Sequence, residues 1–226
     1  MRRLALLFLA GLIAVPASAS ENRASRKVRA AEEVLKLSVT APDRGIPKDL
    51  LERAECIGVF PGVKKGAFVV GGEFGRGVFT CRQKDGTMSS PAFFTMGGGS
   101  FGWQFGGQDV DFVLLVMNED GMTHLLKDHF TLGGELSAVA GPVGRTAQAA
   151  TDARLHAQIL SWSRSRGVFL GASLEGTVIH PDRKATTAFY GRSFTAREIL
   201  VDQKAPVPKA AEPFVRMTTE YARRPS

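Results

Sequence analysis

Residues 97–117 read GGGSFGWQFGGQDVDFVLLVM, and this stretch decides the fold class. From Ser100 to Gly106 the aromatics Phe101, Trp103 and Phe105 alternate with Gly102, Gln104 and Gly106. That strict period of two puts rings on one face of a strand and small residues on the other. Val110 to Met117 is apolar at both parities, the pattern of a central strand buried on both faces. Glycines on one face of a strand allow sharp bending or close approach of another backbone. The stretch therefore predicts a strongly curved sheet.

Working outward, Cys56 to Phe60 is a short apolar strand stopped by Pro61-Gly62. Gly66 to Gly72 and Gly75 to Gln83 read as two more strands, with Asp85-Gly86 as a hairpin turn. On the other side, Glu119 to Asp128 reads as a short helix, Gly167 to Ile179 as a strand and Thr195 to Val201 as a short helix. Residues 131–140 and 155–162 fit either state. Before the sheet, Ala24, Val28, Ala31, Leu35 and Val39 recur at helical spacing over Glu21 to Val39, and Pro42 ends that helix. A second short helix has Pro47 in its first turn. After residue 201 comes a linker with Pro206 and Pro208, then a helix from about Pro213 to Arg223. Helices, a long β region and helices again are not the alternation of a doubly wound fold. The expected class is α+β: a strongly curved, glycine-rich, mostly antiparallel sheet flanked by N- and C-terminal helices.

The chain opens Met1-Arg2-Arg3, continues with apolar Leu4 to Val15, and reaches Ala17-Ser18-Ala19-Ser20. A charged start, a short apolar run and an A-x-A site read as a signal peptide over residues 1–19. The run is shorter than the roughly 20 residues of a membrane span. No Cys follows it, so a lipoprotein anchor is not expected. This predicts an exported protein, periplasmic or secreted. The expected division is a leader (1–19), one domain (20–201), and a linker with a C-terminal helix (202–226). A formal charge of +7 fits attraction to anionic lipid or another polyanion, and equally an ordinary soluble protein. Cys56 and Cys81 either pair, in an oxidising compartment, or remain two buried thiols.

Catalytic patterns are missing. The four histidines, His124, His129, His156 and His180, form no H-E-x-x-H and no i, i+4 pair. Gly171-Ala172-Ser173-Leu174-Glu175 lacks the last glycine of a nucleophile elbow. Gly72 to Gly77 is not a G-x-G-x-x-G loop and leads into a strand. Asp109 and Asp111, either side of Val110, are assigned to opposite strand faces and so form no carboxylate pair. The expectation is a protein without enzymatic activity, metal or cofactor. Nucleic acid is excluded because Lys and Arg do not interleave with Phe101, Trp103 and Phe105.

A series of segments resembles the SYLF-domain family. They are Gly58-Val59-Phe60-Pro61, Gly71-Gly72 leading to Gly75-Arg76-Gly77-Val78, Gly97 to Gly102, Thr131-Leu132-Gly133, Ala140 to Arg145, Ser163 to Gly167, Ser173 to Gly176, Tyr190-Gly191 and Glu198-Ile199-Leu200. They come in the family's order and span about Ile46 to Val201. The resemblance implies a module that binds anionic phospholipid, phosphoinositides in eukaryotic members, some of which also bind and bundle actin. It implicates an N-terminal amphipathic helix, matched by Glu21 to Val39. The implied phosphate-contacting residues are Arg23, Arg26, Lys27 and Arg29, with Lys64 and Lys65, in the loop after Pro61-Gly62, as second candidates. Each basic residue near an anionic surface contributes about 1 kcal/mol. The four cations, offset by Glu21, offer roughly 3 kcal/mol, whereas millimolar affinity needs about 4. Charge alone therefore does not hold the chain on a membrane. The alternative expectation is a protein-interaction or structural module. Arg145, Arg164 and Arg166 are open to two readings, as further contacts to an anionic partner or, equally, as structural residues pairing with Asp152 or Glu175 across turns.

Overall fold

Apolar residues at both parities make Cys56–Phe68 (β1) a strand that can be covered on both faces, and Val70–Cys81 (β2) returns beside it. The pair is antiparallel, with Cys56 opposite Cys81 and Phe68 opposite Val70. The computed structural model describes residues 22–41, 45–68, 70–100, 108–134, 136–143, 157–165 and 167–224. The leader, the alternating aromatics Phe101, Trp103 and Phe105, and Arg145, Asp152 and Arg166 lie outside them. Ala92–Ser100 (β3) adds to β2, and Gln108–Val116 (β4) crosses to the far side of β1. Glu119–Leu125 (α3), Phe130–Thr131 (β5), Ala138–Ala140 (β6), Ile159–Ser165 (β7), Val168–Gly171 (β8) and Val178–Pro181 (β9) follow. The sheet runs β5-β9-β3-β2-β1-β4-β7-β6, with β8 also on β7. Among the described strand pairs only β6 on β7 is parallel. The sheet is strongly curled into a half-barrel, and helices flank it at both ends of the chain, as the sequence predicts.

Both faces of the sheet are buried. On one, Ile57, Val59, Val78, Phe93, Val113, Leu115 and Trp162 meet Arg23–Thr40 (α1), Lys48–Arg53 (α2) and Glu212–Tyr221 (α6). On the other, Phe60, Phe79, Phe94, Phe112 and Phe130 pack with Leu125 of α3 and with Ile199 and Leu200 of Ala196–Leu200 (α5). Phe79 stands edge-on between Phe60 and Phe94, with ring centroids 5.7 and 5.0 Å away. Glycine makes room for these rings. A Cβ on Gly77 would lie 2.3 Å from the Val59 carbonyl oxygen and 2.6 Å from the Phe60 ring.

Four expectations change. Pro61-Gly62 does not stop β1. Phe60 faces Phe112 and Val63 faces Val110, so β1 carries one extra residue there, a bulge with Gly62 at φ 60°. The strand continues to Phe68, so Lys64 and Lys65 sit in a strand, not a loop. Gly66 to Gly72 is accordingly not one strand but the two arms of the β1–β2 hairpin tip. Gly167 to Ile179 is likewise two strands, because the chain turns through Gly176 (φ 79°) between β8 and β9. Arg183–Tyr190 forms a helix (α4) that the strand-dominated reading passed over. Its marks were present: the Asp182 carboxylate accepts from the Ala185 amide at 2.9 Å, and Gly191 closes it in the left-handed region.

The N-terminal helix is docked. Of its predicted apolar positions, Ala24, Val28, Ala31 and Leu35 are buried against the sheet and Val39 is half-buried, and Asn22 caps the helix while its amide donates to Ala188 O of α4 at 2.7 Å. Cys56 and Cys81 are disulfide-bonded, with Cα atoms 4.0 Å apart, which resolves the open choice between a bond and two thiols.

Candidate functional site

Strand alternation and the bulge together build a polar patch at one end of the α1 face. Before the bulge Ile57 and Val59 point to that face; after it Val63 turns into the aromatic core and Lys64 takes the outward position. Lys64 Nζ lies 2.6 Å from Asp109 Oδ1 on β4, and Lys64 stands opposite Phe74 on β2. Phe74 faces Gly97 on β3, which faces Val178 on β9. Gly97 has no side chain to cover the neighbouring ring, and Phe74 is 55% exposed.

One step along the strands runs a second row. Arg164 of β7 donates to Asp111 of β4 at 3.1 Å, and the other oxygen of Asp111 accepts from the Gly62 amide at 2.9 Å, pinning the bulge. Arg76, two residues along β2 from Phe74, pairs with Asp182 at 3.1 Å. Lys27 reaches down from α1 and donates to the Pro61 carbonyl at 2.9 Å. Burial pushes the Lys27 ammonium below the usual lysine range; Asp111 opposes this, while Arg76 and Lys64 add to it. That mutual influence marks Lys27, Lys64 and Arg76 as one electrostatic group.

The predicted residues therefore divide. Lys27 and Lys64 come together at the bulge. Arg23, Arg26 and Arg29 are exposed along α1, away from its buried stripe. Lys65 stands in register between Glu73 and Gln108, one residue out of phase with Lys64. Phe74, Arg76, Asp111 and Arg164 were not predicted as members. For Phe74 and Arg76 the one sequence signal was the alternation Phe74, Arg76, Val78 between Glu73, Gly75 and Gly77, which sets an aromatic and a cation on one face. Asp109 and Asp111 share a strand face, contrary to the expectation, because side chains two residues apart point the same way. They still form no carboxylate pair, since Lys64 and Arg164 hold them separately. Of the two readings left open for Arg164, the structure shows an ion pair, and its partner is Asp111 rather than Asp152 or Glu175.

The patch presents an exposed ring among ion-paired cations, and its described residues include no nucleophile–base pair. Among the described residues no group of three His, Cys, Asp or Glu could hold a metal ion. No described helix is long and apolar enough to cross a membrane.

Comparison with known proteins adds the relatives. The family described as Ysc84, Las17-binding protein actin regulator, matches residues 97–221. LAS seventeen-binding protein 3 of Saccharomyces cerevisiae is 36% identical over 206 residues, covering 90% of this chain and 44% of the relative. Protein YSC84 of the same yeast is 36% identical over 187 residues, covering 81% and 40%. The human SH3 domain-containing YSC84-like protein 1 is 28% identical over 188 residues, covering 83% and 54%. The chain thus spans about half the length of the relatives it matches.

Proposed function

The chain belongs to the Ysc84 family of Las17-binding actin regulators, and from that premise we propose that it is a non-enzymatic protein-interaction module. The observation that carries this reading is Phe74, a large ring left 55% exposed on the strand row that holds Lys64 and Arg76, with Lys27 of α1 nearby at the bulge. Aromatic and arginine side chains are the groups that dominate binding energy at protein interfaces. Lys64, Arg76 and Arg164 are ion-paired with Asp109, Asp182 and Asp111, so the small positive excess that favours an acidic partner comes from Lys27. The names of the relatives supply two partners to try, Las17 and actin.

The test is capture of the full chain by immobilised Las17 and by actin filaments in co-sedimentation, for wild type, Phe74→Ala and Lys64→Gln. Wild type is retained with micromolar affinity, Phe74→Ala weakens retention at least about tenfold, in the range of an interface hot spot, and Lys64→Gln chiefly slows association. Retention of neither partner, or equal retention of all three proteins, overturns the reading.

A second reading, binding of anionic phospholipid, is favoured by the same exposed ring beside cations. Docking of α1 changes its form. The apolar stripe of α1 is buried in the core, so the helix would meet lipid with its cations Arg23, Arg26 and Arg29 rather than by inserting. Asp109 and Asp182 offset two of the patch cations, so the surface attraction stays near the roughly 3 kcal/mol reckoned above. Flotation with phosphatidylglycerol and phosphoinositide vesicles at low and physiological salt tests it. Salt-sensitive flotation that Phe74→Ala reduces supports it, and no flotation on any vesicle rules it out. With the leader-like residues 1–19, the working place proposed is outside the inner membrane, which N-terminal sequencing of the mature chain checks.

A further inference from the structure

Away from the Phe74 patch, where α3, α4 and α5 meet the ends of β3 and β9, the fold encloses a small cavity of about 130 Å³. Its floor is apolar, made by Ala92, Phe93, Pro181 and Phe194. Its rim carries Lys127, Arg183 and Arg197. Pockets that hold drug-sized ligands run from about 300 Å³ upward, so this one fits a group of a few heavy atoms.

From this rim and this size we infer a binding site for a tetrahedral oxyanion, phosphate or a phosphomonoester. The charges around the cavity favour it. Arg192 lies over the Phe194 ring, 4.4 Å from its centroid, and adds a fourth cation beside the floor. Two carboxylates oppose them. Asp128 accepts from Arg183 Nη2 at 2.9 Å, and Glu198 accepts from the Thr195 amide and hydroxyl at 2.9 and 3.0 Å. The Thr195 donors are thus already used, and Thr186 Oγ1 is committed to the Asp182 carbonyl. The remaining donors are cationic. Arg183 uses one guanidinium nitrogen on Asp128 and keeps others, and Arg197 forms no ion pair with any carboxylate among the described residues. A guanidinium presents paired N–H groups that match two oxygens of a phosphate. Thr195 and Glu198, by capping α5 with a reciprocal box, fix the backbone from which Arg197 projects. The apolar floor keeps bulk water from one side of the anion, which strengthens each contact. The site is independent of the partner-binding reading and would stand if that reading fell.

The experiment is a titration of the full chain with inorganic phosphate at constant ionic strength, followed by amide resonances. A parallel arm floats the chain on phosphatidic acid vesicles, to separate a free phosphate from a lipid headgroup as the source. The variants are Arg197→Gln and Arg183→Gln, with Lys36→Gln on the exposed side of α1 as control. Saturable shifts confined to Lys127–Asp128, Arg183–Thr186 and Phe194–Arg197, weakened at least about fivefold in both Arg variants and unchanged in the control, establish a free-anion site. Vesicle flotation lost in the Arg variants, without response to free phosphate, establishes a headgroup site. Shifts that never saturate, or that the Arg variants share with wild type while flotation is also unaffected, overturn the inference. Both Arg side chains are exposed, and coincident melting curves confirm that the variants fold.

Discussion

Replacing Arg82 by Ala should cost the fold several kcal/mol. Arg82 follows β2 and spreads its guanidinium across the C-terminal ends of two helices. It donates to Ala54 O at 2.9 and 3.2 Å and to Glu52 O at 3.0 Å at the end of α2, and to Ala222 O at 2.7 Å at the end of α6. Terminal helix carbonyls have no partner within their own helix, and a cation there also meets the negative end of the dipole. Each hydrogen bond to a charged group is worth about 1.5–3 kcal/mol. Two effects cut the sum: the site is half open, so water replaces part of what is lost, and removal relieves the burial that holds the Arg82 guanidinium below its ordinary range. The net loss expected for Arg82→Ala is about 2–4 kcal/mol. At about 2–4 °C per kcal/mol for a domain of this size, thermal unfolding should fall by roughly 4–16 °C. Arg82→Lys, which keeps the charge but not the fork, should lose about half as much. Urea unfolding should give the same ordering with an unchanged slope. A melting point within about 1 °C of wild type for Arg82→Ala would refute the capping argument, since the Ala54 and Ala222 carbonyls would then have lost their side-chain donor at no cost, while Glu52 O keeps Arg224.

The remaining predictions concern the sheet and the helix that covers it. Gly77→Ala pushes a methyl into a backbone oxygen and the Phe60 ring, neither of which can move far, so it should cost about 2–4 kcal/mol by chemical denaturation. Reduction of Cys56–Cys81, which closes a sequence separation of 25, should lower stability by about 3.5 kcal/mol, read as a melting point that falls with added reductant and does not respond in the double Ser variant. Burial depresses the Lys27 pKa in the folded chain, so the unfolded chain holds that proton more tightly. Stability therefore rises as pH climbs from the folded pKa towards 10.5, and the charged form is a burden at neutral pH. Lys27→Met should lack that alkaline rise, and melting curves of the two proteins from pH 7 to 11 compare them directly.

Much of the fold was legible because its signals are local. The 3.6-residue recurrence of Ala24, Val28, Ala31 and Leu35 identified α1 and its buried stripe, and both-face apolarity identified β4 as an interior strand. Strand boundaries were less legible where glycine serves two purposes. Gly62 and Gly176 both adopt positive φ, yet one bends a continuing strand and the other separates two. Nothing adjacent in sequence distinguishes them; what differs is whether a neighbouring strand supplies partners on both sides. For the candidate site, Lys27 and Lys64 were picked out as basic residues, but not as neighbours, and Phe74 and Arg76 were passed over inside a glycine-rich strand.

The sequence by itself determined the class of the fold, its helix and strand periods, the absence of catalytic patterns and the family, because each follows from residue order along the chain. Only the tertiary structure decided which side chains share a surface. One extra residue at Pro61-Gly62 reverses the facing of β1, burying Val63 and bringing Lys64 outward beside Phe74. That reversal is held by an Asp111 oxygen 49 positions away, and by a lysine reaching down from a separate helix. Facing is fixed by pairing with strands distant in sequence, so the patch exists only once the sheet has closed around it.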